Sequence, residues 1–290
     1  MRLGATPSGD HTEFVVWAPH CREVVIEIVS PAPQRLTLTP GEQHYFSGRL
    51  PVGPGARYHV RLDGKEGRPD PASRFQPEGV HGPSEVVDPA FPWSDAHWRG
   101  RPLDEYIIYE LHVGTFTAAG TFDAAIERLD ELAQLGITAI ELMPVAQFPG
   151  ARNWGYDGVQ PFAVQNSYGG PAALKRFVGA CHARDIAVVL DVVYNHIGPE
   201  GNYLAEFAPY FIEKYKTPWG PAINVDEAHS DEVRRFFIDN ALEWITDYHL
   251  DALRLDAVHG ILDMSARPFL AELSQAVACR ASRLGRQVFL

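Results

Sequence analysis

Thiols are scarce in this chain. Its three cysteines, Cys21, Cys181 and Cys279, are odd in number and far apart. They form neither a disulfide framework nor a zinc-ligand spacing, which fits a reducing cytoplasm. No apolar run approaches the length of a membrane span. The N-terminal residues, Met1 to Asp10, lack the hydrophobic stretch of a signal peptide. Basic residues are also in deficit: 25 Lys and Arg face 37 Asp and Glu, a net charge of −12. Nucleic acid and anionic membranes need clustered cations, so neither is an expected partner. No phosphate-cradling glycine loop and no Ser-His-Asp order stands out. What is there is the composition of a globular protein, 46% hydrophobic and 11% aromatic over 290 residues, enough for one large domain or two ordinary ones.

Three regions differ in texture. Residues 1–66 hold short β-branched or aromatic runs (Glu13–Trp17, Glu23–Val29, Arg35–Leu38, His44–Leu50, Arg57–Leu62) punctuated by Pro and Gly, the pattern of a small antiparallel β-sandwich. Residues 67–105 carry prolines at 69, 71, 77, 83, 89, 92 and 102 together with Phe75, Phe91, Trp93 and Trp98. Proline disfavours ladders, and a flexible linker would be poorer in aromatics. An ordered connector packed across both domains is expected. From Tyr106 strand and helix patterns alternate. Strands are expected at Tyr106–Val113, Ile137–Met143, Ala187–Asn195 and Leu250–Val258. The helices between them start near Thr121, Pro171 and Ser230; a fourth spans Ser265–Leu284, and Gln287–Leu290 begins a fifth strand. Near-continuous apolar strands joined by helices imply a parallel sheet covered on both faces. Residues 106–290 thus fit either an open sheet or roughly the first half of a (β/α)8 barrel, a fold that takes about 250 residues. The half-barrel leaves two sheet edges unpaired, so further polypeptide is expected after Leu290.

The strands end in polar groups. Arg254 and Asp256 are two apart, on one side of a strand, and a guanidinium beside a carboxylate favours its ionised form. By position alone Asp256 is as readily a structural partner of Arg254 as a nucleophile. Val188–His196 ends similarly, with Asp191, Asn195 and His196. Parallel α/β folds place their active sites at such C-terminal strand ends.

These two segments, Asp191-Val-Val-Tyr-Asn-His196 and Leu253-Arg-Leu-Asp-Ala-Val-His259, resemble the first and second signature regions of the α-amylase family of glycoside hydrolases. Phe14-Val-Val-Trp-Ala-Pro19 resembles the N-terminal sandwich of its branching and debranching members. Asn153-Trp-Gly-Tyr-Asp-Gly158, Asn166-Ser-Tyr-Gly-Gly170, Gly198-Pro-Glu-Gly-Asn-Tyr203 and Thr217-Pro-Trp-Gly220 look like the trehalose-releasing members. The resemblance covers nearly all 290 residues but only about half of such an enzyme. It implies a β-sandwich followed by the first half of a TIM barrel. The implied reaction is retaining hydrolysis of the α-1,4 bond next to the terminal trehalose of maltooligosyltrehalose. Asp256 matches the nucleophile and Arg254 its hydrogen-bonding partner. Asp191 and His196 match residues around the attacked sugar, and Tyr156 the aromatic platform below it. Trp154, Asp157, Trp219 and His259 complete the expected substrate contacts, with core or loop-anchor roles open for Trp154 and Trp219. His259 departs from the Lys-His order of many members. The family's general acid, a Glu after the fifth strand, and its later His-Asp pair are not in this sequence, so residues 1–290 alone are expected to be inactive.

No metal and no cofactor is expected, since Asn195, a calcium ligand in many amylases, has no other ligand in view. An α-glucan branching glucanotransferase is the rival enzyme, and a glucan-binding half-barrel the rival without activity. Trp17, Trp93, Trp98 and Trp244 are assigned to packing. Glu110 and Glu141 are expected as inward, hydrogen-bonded structural carboxylates, His112 as a core histidine, and His182–Asp185 as a solvated helix end.

Overall fold

A computed structural model describes residues 1–290. Eight short strands build the N-terminal part: β1 Gly4–Ser8, β2 His11–Trp17, β3 Val24–Ser30, β4 Gln34–Thr37, β5 Thr39–Pro40, β6 Tyr45–Leu50, β7 Arg57–Leu62 and β8 Ser84–Glu85. They pair into two four-stranded sheets, β1-β2-β6-β5 and β4-β3-β7-β8. Strand alternation sets the faces. In β3, Val24, Ile26 and Ile28 are fully buried, while Glu27 between them bonds Arg35 and Arg61. Phe14 meets Tyr58 edge-to-face across the sandwich at 5.0 Å. Three strands, β1, β5 and β8, lie outside the sequence expectation. β1 is polar and glycine-containing, and β8 belongs to the Pro-rich stretch yet closes the second sheet against β7.

A third sheet is parallel, ordered β16-β13-β10-β9, with β9 at Ile108–Leu111, β10 at Ala139–Leu142, β13 at Ala187–Val192 and β16 at Ala252–Leu255. Two antiparallel hairpins are inserted: β11 Ala146–Gln147 with β12 Gln160–Val164, and β14 Phe211–Thr217 with β15 Gly220–Ile223. On the helix-facing side, Ile140, Leu142, Val188, Leu190 and Leu253 join one continuous core with the sandwich and the helices. On the concave side, small residues, Ala139, Ala187 and Ala252, pack with Val189 beside Trp98. Phe289 extends this face through a parallel bridge to Ala252.

The helices follow the apolar spacing with local changes. The stretch opened by Thr121, whose Oγ1 accepts from the Ala124 amide at 3.3 Å, is split into α2 Phe122–Ile126 and α3 Leu129–Gln134, after a single turn, α1 Val113–Phe116. α4 Gly170–His182 starts with Pro in its first turn. After the short α5 Leu204–Phe207 comes α6 Ser230–Asp247. Ser230 is not its cap: His229 precedes the helix at φ 66 with no side-chain capping bond, and Asp231 and Glu232 complement the helix dipole instead. Phe236 and Phe237 of α6 are fully buried, each contributing roughly 1.5–3 kcal/mol by burial. α7 Phe269–Leu284 starts later than the sequence pattern indicates, because Asp263 and Ser265 form a polar turn anchored on Arg234.

Two sequence expectations need correction. His182 is not solvated: it is 2% exposed, because the last turn of α4 tucks under the N-terminal ends of β13 and β16. Glu110 and Glu141 lie in register on β9 and β10, but neither carboxyl receives a hydrogen bond. Burial pushes Glu141 above its ordinary value, and the charges of Glu110 and Asp191 add to this.

Sandwich and parallel sheet share buried polar contacts. Arg74 grips Glu243 of α6 with two bonds, at 2.8 and 2.9 Å, and donates to the Leu3 carbonyl at 3.0 Å. Tyr45 bonds Glu232, and Trp17 meets Tyr210 edge-on.

Candidate active site

Parallel register brings Asp191 of β13 directly beside Arg254 of β16. Asp256 follows one residue after β16, its amide donating to the Val192 carbonyl at 3.0 Å. A single guanidinium nitrogen, Arg254 Nη1, donates to Asp191 Oδ2 at 2.7 Å and to Asp256 Oδ1 at 2.8 Å. Asp256 Oδ2 has no protein partner. The next residue, Ala257, sits at φ 39, a left-handed conformation that costs of order 1–3 kcal/mol for a non-glycine residue. It turns the chain sharply away from the strand immediately behind Asp256.

Asp191 is buried. Burial pushes its carboxyl up to about 6, although Arg254 and Tyr156 both bond it. Burial also opposes the charge of Arg254, but Asp191 and Asp256 outweigh it and hold the guanidinium above its ordinary value. Tyr156 donates its hydroxyl to Asp191 Oδ2 at 2.9 Å, and its own value is raised, by burial first and by the adjacent aspartate second. Asp191 Oδ1 and Asn195 Oδ1 are buried without a donor.

His196 ties the neighbouring loop down. Its Nδ1 accepts from Asn195 Nδ2 at 2.9 Å, and its Nε2 donates to the Tyr156 carbonyl at 2.8 Å. Both nitrogens are therefore engaged, and a sugar hydroxyl would have to share Nε2 with that carbonyl. The turn of the β14–β15 hairpin lays Trp219 flat on His196, with ring centroids 5.0 Å apart and planes 9° apart. His259 approaches the other end of Trp219 at 6.2 Å, and Gly260 leaves room for the indole: a Cβ there would lie 3.0 Å from it.

Seven of the nine residues singled out from sequence thus gather in one cluster: Asp256, Arg254, Asp191, Tyr156, His196, Trp219 and His259. Asp157 bonds Asn153 at 2.7 Å and does not join it. Trp154 is 73% exposed and outside it. Two shaping residues stood in a quoted motif but were given no role of their own. Asn153 Oδ1 accepts from the Gly155 amide at 2.7 Å, an Asx turn that Asn ahead of Gly could have signalled. Gly155 itself has φ 98, and a Cβ there would sit 2.1 Å from the Pro144 carbonyl. Gly155→Ala is expected to destabilise the protein by about 1–3 kcal/mol and to displace Tyr156. Chemical denaturation together with near-ultraviolet circular dichroism checks this; an unchanged midpoint would refute the close packing.

Comparison with known proteins accords with this geometry. Residues 91–219 match the α-amylase catalytic domain, and residues 2–88 match carbohydrate-binding module 48, the isoamylase N-terminal domain. By these matches the chain is similar to the α-amylase family of glycoside hydrolases. Within that family it is similar to malto-oligosyltrehalose trehalohydrolases. It is 48% identical over 278 residues to that of Saccharolobus solfataricus and 49% over 281 residues to that of Arthrobacter ramosus, in each case over 96% of this chain and 49% of the relative. It is 35% identical to a 1,4-α-glucan branching enzyme of Ralstonia nicotianae, over 86% of this chain and 36% of that protein. A solved Salmonella typhimurium structure, provisionally named an α-amylase, superposes with a TM-score of 0.92 at 42% identity, covering 99% of this chain and 48% of that one. The chain spans about half the length of the curated relatives it matches. No helix is long and apolar enough to cross a membrane.

Proposed function

We propose that this chain supplies the nucleophile side of a retaining glycosidase site that releases trehalose from maltooligosyltrehalose. The observation that carries the reading is the shared bond of Arg254 to Asp191 and Asp256, which holds one oxygen of Asp256 and leaves the other free. In a retaining reaction a carboxylate attacks the anomeric carbon while a second carboxyl protonates the leaving oxygen. Asp256 takes the first role. Arg254 positions it, and Asp191, anchored by Tyr156, shapes the place of the attacked sugar. The Tyr156 ring forms the floor, and its face favours the positive charge that develops at the anomeric centre. Trp219 and His259 flank the site, while Trp154 and Asp157 are proposed as outer contacts for longer α-1,4-glucans. The buried acceptors Asp191 Oδ1 and Asn195 Oδ1 support a hydroxyl-rich ligand, because an unpaired buried acceptor costs roughly 1–3 kcal/mol until a donor meets it.

The domain division we propose is a sandwich over 1–66, a connector over 67–105 that lends it the edge strand β8, and a partial (β/α)8 barrel over 106–290. The three free thiols support our placement of the protein in the cytoplasm. No metal or cofactor enters the proposed chemistry. Within residues 1–290 the other carboxyls of this face are Asp191, Glu141 and Glu110. Asp191 is committed to Arg254 and Tyr156, and the two glutamates lie below it on β9 and β10. None is offered as the acid, a function that contributes typically about 10²–10⁴-fold. Residues 1–290 alone are therefore expected to give no measurable trehalose from maltooligosyltrehalose by chromatography of the products. Steady release would overturn this assignment. New α-1,6 branches formed on amylose would favour the branching reaction, to which the Ralstonia relative lends its similarity.

A further inference from the structure

A second cluster of charged groups lies at the opposite end of the parallel sheet. His182, at the last turn of α4, has no exposed side-chain surface. Its Nδ1 is 2.8 Å from Asp95 Oδ2 in the connector, and its Nε2 is 2.9 Å from Asp251 Oδ2. Each carboxylate accepts only if the ring nitrogen facing it carries a proton. A neutral imidazole would turn a lone pair toward one of two buried anions. The ring is stacked on Trp98 at 4.6 Å, which leaves it no other partner.

Asp251 is more than a counter-ion. Its Oδ2 also accepts from the Val188 amide at 2.9 Å, and its Oδ1 from Trp98 Nε1 and Arg286 Nη2, at 2.7 and 2.8 Å. Val188 lies near the start of β13, and Asp251 directly precedes β16. The two strands pinned here at their N-terminal ends carry Asp191, Arg254 and Asp256 at their C-terminal ends. A slip of one residue between them would turn Arg254 away from Asp191.

We propose that His182, protonated on both ring nitrogens, is a positioning residue that locks the register of β13 against β16 through Asp251 and thereby holds Arg254 between Asp191 and Asp256. Asp95, Asp251, Arg286 and His249 act on its charge, and Cys181 and Tyr106 lie near Asp251. His249 bonds Asp95 at 2.8 Å and is stacked on Trp93; burial lowers its value below 6.5, so it serves Asp95 as a neutral donor. For His182 itself, burial opposes the charge, but the bonds to Asp251 and Asp95 outweigh it and leave the value above 6.5. A group with a raised folded-state value contributes stability that is fully present below about 6.5 and is lost as pH rises through the folded-state value. The lock therefore holds below that raised value and releases as pH climbs through it. That it stands behind a catalytic pair rests on reading Asp256 as the nucleophile; the lock itself does not.

The test is a histidine nitrogen NMR titration of the purified 290-residue protein, with His182 assigned by its contact with the Trp98 indole. Two protonated ring nitrogens are expected at pH 7.5, where exposed histidines are neutral. The Asp256 amide and Arg254 Nε signals are expected to shift with the midpoint of His182, a response that local packing alone would not produce. Stability measured by denaturation should fall across the same window, and the fall should be absent in His182→Gln. A single protonated nitrogen at pH 7.5, or Arg254 and Asp256 signals indifferent to that midpoint, would overturn the proposal whether or not His182→Gln folds. None of these readouts depends on turnover, so failure of the catalytic reading would leave them intact.

Discussion

Asp256→Asn, in a chain completed with the C-terminal half of a trehalohydrolase it resembles, should lower trehalose release by roughly 10⁴-fold to 10⁶-fold, the range seen when a residue that acts as a unit with its partners is removed. The substitution is nearly isosteric. The Asn oxygen can still accept from Arg254 Nη1, and the backbone bond to Val192 is untouched. What disappears is the free oxygen with charge enough to attack the anomeric carbon. Stability should change by no more than about 1 kcal/mol, because the ion pair that is lost has a guanidinium 46% exposed to water. The discriminating result is therefore a collapse of kcat with an almost unmoved denaturation midpoint. Retention of more than about a tenth of the activity would remove Asp256 from the nucleophile's role.

Glu243→Leu should be the most damaging change to the fold. Arg74 and Glu243 are both almost sealed from solvent, and the guanidinium uses Nε and Nη2 on the two carboxylate oxygens. Removing the acid strands a buried cation whose remaining acceptors are the carbonyls of Leu3 and Ala5. It also deprives Arg2 of one of its two acidic partners. Breaking a buried pair from one side costs about 3–5 kcal/mol, more than the pair itself contributes, because the surviving charge is uncompensated. Arg74→Leu combined with Glu243→Leu should recover much of that loss. Urea denaturation of the two single variants and the double variant checks both statements. Equal destabilisation in Glu243→Leu and the double variant would show that an uncompensated Arg74 is not the cause.

The parts legible in the sequence were those in which one period or one motif determines the answer. Alternation in Val24–Ile28 gave a sandwich strand, and apolar spacing in Leu174–Cys181 gave the helix α4. The signature segments around Asp191 and Asp256 led to residues that the structure joins through one guanidinium. The parts not legible depend on what lies across the fold. Nothing local to His182 shows that its helix ends beneath two strands, with Asp95 and Asp251 arriving from 87 and 69 residues away. Ser84–Glu85 reads as part of a proline-rich connector, and only the open edge of β7 makes it a strand. Ser230 is a good cap by type, but the chain enters α6 through a left-handed His229. Trp154 and Trp219 read alike in sequence. Only the β14–β15 hairpin separates them, laying Trp219 on His196 and leaving Trp154 in solvent.

Covalent trapping tests the central claim most directly. Fluoride departs without being protonated, so a 5-fluoro-α-maltosyl fluoride needs a nucleophile but no general acid, and residues 1–290 suffice for the experiment. Peptide mapping by mass spectrometry should find the glycosyl label on Asp256, and Asp256→Asn should abolish it. A label on Asp191 or Glu141, or no label at saturating reagent, would contradict the assignment of Asp256 as the attacking carboxylate.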